Sequence, residues 1–420
     1  MRRIINFLHA SVTLKGTLFL LLGSLVSQAM GFLVIALLTR NLEPAAFGFF
    51  ITAFAFSQLL GDLFEFGINP ALLTFASGKS GKKRYSYIKT TFLIKSAIAT
   101  VLFLIIFFGA ELISLFVFKD DLMVPYIRIS ALGSAILLLV VWSQNVFNSE
   151  NKFFLSSIIN STTNVFRFLA VSLLVLTGLA TPFISYFFFQ VAIGLSLFLF
   201  FFFYGFKFFR GKFNKVLMKE LVVFGLPIGL SFSIGAIYTR IDQILVFNML
   251  GSAEAGVYGL GYRLASVFVL GISSFGAVIS PRFASIPDDH YWDYFKKTFL
   301  AICGMVAGAI LAILVSPYLV PIIFGTVYIA SVPIFQILTI GIIFFMLQVP
   351  FNTVFIFRFK KSNFLVPIAL LSLGIMYFLL IYLIPLYKTA GAAWAFVVLN
   401  FTQLIFYVGY FWYLNSRGKK

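Results

Sequence analysis

One cysteine, two histidines and thirteen acidic residues are the whole stock of the commonest catalytic and metal-binding side chains in this 420-residue sequence. A lone Cys303 excludes an intrachain disulfide and any cysteine-built metal site. His9 and His290 both fall outside the apolar runs, so no histidine relay crosses a membrane interior. The patterns G-x-S-x-G and H-E-x-x-H, a phosphate loop and a dinucleotide fingerprint are all missing. No metal, no cofactor and no enzymatic activity are therefore expected. Charged residues make up only 10% of the chain, against about 25% in a soluble domain.

What the chain has instead is oil. Hydrophobic residues make up 61%, and mean hydropathy is +1.05. Apolar runs long enough to span a bilayer recur near 17–39, 46–66, 88–110, 123–147, 154–177, 182–204, 221–248, 256–280, 298–323, 329–357, 364–386 and 390–414. The first exceeds the 7–15 residues of a signal-peptide core and is expected to stay as a helix. The ten-residue alternating strands of a transmembrane barrel are not visible. An all-α polytopic membrane protein with twelve transmembrane helices follows.

The excess of base, +18, is not spread evenly. With the N-terminus inside, 23 of the 31 Lys and Arg fall in cytoplasmic segments, and only Arg40, Lys119 and Lys388 fall outside. This bias orients the chain with both termini cytoplasmic. It also accounts for most of the charge, leaving nucleic-acid binding little to explain.

The basic stretch "KFFRGKFNK" separates six spans from six. The first loop of each half looks alike: Leu42, Gly48 and Phe50 stand 208 residues before Leu250, Gly256 and Tyr258. A parallel repeat is expected, with a lobe at 1–206, a cytoplasmic linker at 207–220 and a second lobe at 221–420, pseudo-symmetric around a central cavity.

Ionisable residues inside the apolar runs are costly and usually face a bundle interior or wet cavity. They are Asp62, Glu65, Lys95, Arg128, Arg167, Arg240, Asp242 and Arg263, with Arg40 at the outer end of the first span. Base exceeds acid in this set. A purely structural network tends to neutrality, because an unpaired buried charge is expensive. The surplus arginines point to an anionic ligand, since guanidinium forks match phosphate and carboxylate oxygens. Arg240, Arg263, Arg128, Arg167 and Arg40 are the candidate anion contacts, with Asp242, Asp62, Glu65 and Lys95 as charge partners. Asn160, Asn164, Tyr262, Gln243, Gln348 and Asn352 are candidate polar lining.

Structural roles fit some of these as well. Asp242 and Arg263 share a depth and suit an ion pair. Asp62, Glu65 and Lys95 lie near the inner face and suit interfacial pairing. The stripe Ser157, Asn160, Ser161, Asn164, Arg167 follows one helical face, which suits helix-to-helix hydrogen bonding as well as a cavity wall.

The segments "LLGSLVSQAMGFLVIALLTRNLEPAAFGFF" and "FGLPIGLSFSIGAIYTRIDQILVFNMLGSAEAGVYGLGYRLAS" resemble the polysaccharide exporter branch of the MOP superfamily. The most specific part is R-x-D, then L-G-x4-G-x-Y, then Y-R-L. The resemblance implies a Wzx-type flippase in the bacterial plasma membrane. Such proteins carry undecaprenyl-pyrophosphate-linked oligosaccharide units, as for O-antigen, capsule or exopolysaccharide, from the inner to the outer leaflet by alternating access. It also implies a cationic cavity, membrane lipids around it, a coupling ion (H+ or Na+) for which Asp242, Asp62 and Glu65 are the acidic positions at hand, with Lys95 beside them, and polymerase and chain-length partners. The rivals are a multidrug antiporter of the same superfold, whose cationic cargo suits an acidic cavity, and a polysaccharide polymerase or ligase, which usually carries a large outer loop.

Overall fold

A computed structural model describes residues 2–205, 207–286, 290–359 and 365–417. These residues are almost wholly helical, and no strand occurs among them. Fifteen helices follow in chain order: α1 (Arg2–Asn41), α2 (Pro44–Leu63), α3 (Ile68–Ala76), α4 (Gly81–Phe108), α5 (Ala110–Ile113), α6 (Met123–Ser149), α7 (Phe153–Leu176), α8 (Pro182–Val191), α9 (Ile193–Tyr204), α10 (Lys215–Tyr238), α11 (Ile241–Leu250), α12 (Ser252–Ser285), α13 (Tyr291–Phe324), α14 (Ser331–Thr353) and α15 (Leu365–Arg417).

Eleven stretches are long and apolar enough to cross a bilayer. The last, Pro367–Tyr413, has 47 residues, a rise of about 70 Å, or twice a hydrocarbon core. It is broken at Lys388, whose backbone leaves the helical region (φ 52°, ψ −134°). Counted as two, it brings the total to the expected twelve. The break coincides with the short polar gap that separates the two runs in the sequence.

The chain forms two compact units: residues 1–42 with 52–240, and residues 43–51 with 241–420. The repeat and the charged linker place the divide at 207–220. The compact units instead draw α10 into the first unit and the opening of α2 into the second. Two glycine contacts account for this.

In the first unit, α10 lies on the turn between α2 and α3. Gly67 has a left-handed backbone (φ +68°), and a methyl group there would lie 1.9 Å from the Gly225 carbonyl oxygen. A methyl on Gly229 would lie 2.4 Å from the Phe66 carbonyl carbon. Only glycine permits this backbone-on-backbone approach. The core beside it gathers Trp142, Phe147, Phe200 and Tyr204 from α6 and α9, all buried.

In the second unit, the repeat-related glycines meet one another. A methyl on Gly48 would lie 1.8 Å from the Ser252 carbonyl oxygen, and one on Gly256 would lie 2.1 Å from that of Pro44. The first turn of α2 thereby crosses the first turn of α12. Elsewhere in this unit, α14 packs against α12, α13 and α15. An aromatic cluster around Phe283, Phe295, Phe355 and Phe411 fills one end.

Candidate functional site

The span that carries R-x-D is not one helix. α10 ends at Tyr238 and α11 begins at Ile241, so Thr239 and Arg240 form the break. The boundary between the two compact units falls directly after Arg240. The motif is thus divided: Arg240 belongs to the first unit and Asp242 to the second.

On the Arg240 side, a cavity of about 300 Å³ opens between the end of α2 and the last turns of α10. Asp62, Glu65, Phe232, Tyr238 and Thr239 line it. Asp62 is exposed there, and the Arg240 charge acts on it without a direct ion pair among the described residues. Arg240 is half-buried, and its Nε is buried with no hydrogen-bond partner among the described residues.

Glu65 is occupied by the fold. Its Oε2 accepts from the Gly67 N–H, and its Oε1 accepts from the Asn69 N–H at 2.9 Å and from Lys95 Nζ at 3.2 Å. Lys95 Nζ also donates to the Glu65 carbonyl at 2.8 Å, and its side chain is fully buried. The carboxylate caps the start of α3, and the ammonium neutralises it. This pair holds the turn on which α10 rests.

Arg128 is drawn outward. It pairs with Glu111 at 3.0 Å and sits 5.5 Å from the Phe107 ring centroid. Glu111 belongs to the short helix α5 and lies one residue beyond the apolar run 88–110, outside the set of charges inside those runs. Arg167 is buried within the first unit. Its guanidinium lies 4.1 Å from the Phe189 ring centroid, Nε donates to the Phe189 carbonyl, and one terminal N donates to Asn164 Oδ1, both at 3.2 Å.

The polar stripe on α7 faces α1. Ser157 Oγ donates to the Phe19 carbonyl at 2.6 Å, Ser161 Oγ to the Gly23 carbonyl at 3.0 Å, and Asn164 Nδ2 to Ser27 Oγ at 2.8 Å. Ser27 in turn donates to the Asn160 carbonyl at 3.2 Å. Of the two readings the spacing allowed, hydrogen bonding between helices describes these contacts.

In the second unit Asp242 is buried in the first turn of α11. Its Oδ2 accepts from the Tyr258 hydroxyl at 2.6 Å, and Oδ1 from the Gln243 N–H at 2.8 Å. Gln243 Nε2 donates to the Ala255 carbonyl at 3.0 Å. Tyr262 and Arg263 are half-buried along α12. Gln348 Nε2 donates to the Asn400 carbonyl at 2.7 Å, joining α14 to α15. Asn352, one turn on, is half-buried with a buried Oδ1 that has no partner among the described residues. Arg40 is exposed in the last turn of α1, where a cation complements the helix dipole.

A basic cluster at the ends of α4, α6 and α9 escaped the sequence reading. Glu150 gathers Lys152 at 2.7 Å, the Tyr204 hydroxyl at 3.0 Å and Arg84 at 3.6 Å. Its members are 52 to 120 residues apart or adjacent in a turn, and no periodicity connects them.

Residues 13–287 match the family described as polysaccharide biosynthesis protein. A capsular polysaccharide biosynthesis protein, CapF, from Staphylococcus aureus is 26% identical over 209 residues, covering 48% of this chain and 51% of that one. The alignment therefore spans about half the length of that curated relative. Among solved structures, the lipid II flippase MurJ in an inward closed conformation superposes with a TM-score of 0.76 at 15% identity, over 93% of this chain and 87% of that one. An inward-facing MATE-family multidrug resistance transporter of the MOP superfamily gives 0.77 at 12% identity, over 93% and 95%. The fold is that of the MOP transporters, and the family match covers more than half of the sequence: the chain belongs to the polysaccharide biosynthesis protein family.

Proposed function

We propose that this protein is a flippase that moves undecaprenyl-pyrophosphate-linked oligosaccharide repeat units across the bacterial plasma membrane by alternating access, with both termini cytoplasmic. The observation that carries the reading is Arg240. It is a guanidinium at the break of a membrane span, and its buried Nε has no hydrogen-bond partner among the described residues. Such a donor suits a phosphate oxygen. The role in capsular polysaccharide biosynthesis of the Staphylococcus aureus relative supports a glycan substrate.

Arg263 is the proposed second anion contact. Arg128, Arg167 and Arg40 are assigned lesser parts, because Arg128 has Glu111, Arg167 has Phe189 and Asn164, and Arg40 lies at a helix end. A coupling cation, H+ or Na+, is assigned to Asp62, which faces the cavity. Glu65 and Asp242 are already hydrogen-bonded. Polymerase and chain-length proteins would receive the product.

The test is a deletion strain scored for surface glycan and for lipid-linked intermediates in each leaflet. Repeat units are expected to accumulate on the cytoplasmic side. Units that reach the outer leaflet unpolymerised would instead assign the chain a later, enzymatic step. Complementation with Arg240→Ala or Arg263→Ala should fail to restore surface glycan although the protein reaches the membrane, and Arg→Lys should restore it in part. Full complementation by both alanine variants would overturn the anion-site assignment.

A further inference from the structure

The second unit carries a groove of about 500 Å³ that the transport reading does not use. α13 supplies one wall through Trp292, Lys296, Phe299 and Cys303, residues spaced to share a helical face. α15 supplies the other through Phe411 and Trp412. The floor is aromatic: Phe411 stacks on Phe295 at 5.4 Å and meets Phe351 edge-on at 5.3 Å between ring centroids.

Three features identify the occupant. The groove begins in the first turn of α13 and reaches Cys303 eleven residues on, about 16 Å along the helix and five residues inside the apolar run that starts at 298. Trp292 and Trp412 are exposed at its mouth, the place of interfacial aromatic residues in a bilayer. Lys296 lines the groove and Lys297 is exposed beside it, and neither has an ion-pair partner among the described residues. An apolar channel that enters the leaflet from the interface, with these ammonium groups near the mouth, fits the upper part of an acyl chain whose headgroup is anionic. A lysine in this position extends its ammonium to the interface while its stem stays apolar.

We propose that this groove is a binding site for one anionic phospholipid, its acyl chain lying along Phe299 and Cys303 and its phosphate held by Lys296. The site does not depend on the flippase reading.

Cys303, the sole thiol and exposed in the groove, reports on it directly. The full-length protein would be purified in detergent and titrated with phosphatidylglycerol or phosphatidylcholine of matched chains, following the rate of Cys303 alkylation. Phosphatidylglycerol should protect at about fivefold lower mole fraction than phosphatidylcholine, the effect of about one basic residue at an anionic surface. Lys296→Gln, a change at an exposed side chain, should bring the two curves together. Equal protection by both lipids in the unaltered protein would overturn the proposal, as would no protection by either. Native mass spectrometry of the same samples gives a second reading: retained phosphatidylglycerol should fall in Lys296→Gln and stay unchanged in Lys219→Gln.

Discussion

The Glu65–Lys95 pair shows how much one buried ion pair can be asked to hold. Glu65 serves two backbone N–H groups and an ammonium, while Lys95 serves a carbonyl and a carboxylate. The two ends are not equivalent. Removing the carboxylate strands a fully buried ammonium and leaves the α3 cap unmade, whereas removing the ammonium leaves a carboxylate that still accepts from two amides. Glu65→Ala is therefore expected to cost about 3–5 kcal/mol, and Lys95→Met distinctly less. Thermal unfolding in detergent would rank the two variants, and the double variant Glu65→Ala, Lys95→Met should unfold above Glu65→Ala alone. The reverse ranking would mean that the ammonium, not the cap, holds this turn. The same scale explains why site residues were only partly legible. Runs of hydropathy identify a charge in oil, but not its partner: Glu111 for Arg128 and the Phe189 ring for Arg167 come from other helices.

At the scale of elements, glycine position decides where helices can touch. Gly225 and Gly229 bring α10 onto the Phe66–Gly67 turn, but Gly235 on the same helix has its nearest contact at 4.0 Å, from a side chain. Gly229→Ala should thus destabilise by about 1–3 kcal/mol, the usual cost of overpacking, while Gly235→Ala should be neutral or slightly stabilising through helix propensity. Equal melting temperatures for the two would remove the contact from the account. The same reasoning applies to Gly48 and Gly256. Each would clash with backbone of the other's helix, so Gly48→Ala and Gly256→Ala should each impair the protein, and the double variant should lose less than the sum, because one displaced crossing relieves both clashes. The sequence repeat marks these two glycines as equivalent. That equivalent positions would meet was not readable from it, since a repeat gives correspondence and not distance. The α7 stripe carries the converse lesson: its periodicity identifies a polar face, and only the position of α1 says what that face touches.

For the whole molecule, the twelve spans were legible because a bilayer imposes one length on every helix, and that length is written in hydropathy. The break at Lys388 is the point where count and topology depend on each other. Were Pro367–Tyr413 a single long helix, the chain would cross eleven times and its termini would lie on opposite sides. Broken at Lys388, it crosses twice and returns. The charge bias predicts Lys83 inside and Lys388 outside, and both side chains are exposed. In a Cys303→Ala background, Lys388→Cys should react with a membrane-impermeant maleimide in intact cells, and Lys83→Cys only after permeabilisation. Labelling of both from outside, or of neither, would break the link between basic loops and the cytoplasmic face. Lys83→Cys labelled alone in intact cells would invert the topology while keeping the even count, and with it would move the mouth of the α13–α15 groove to the opposite leaflet.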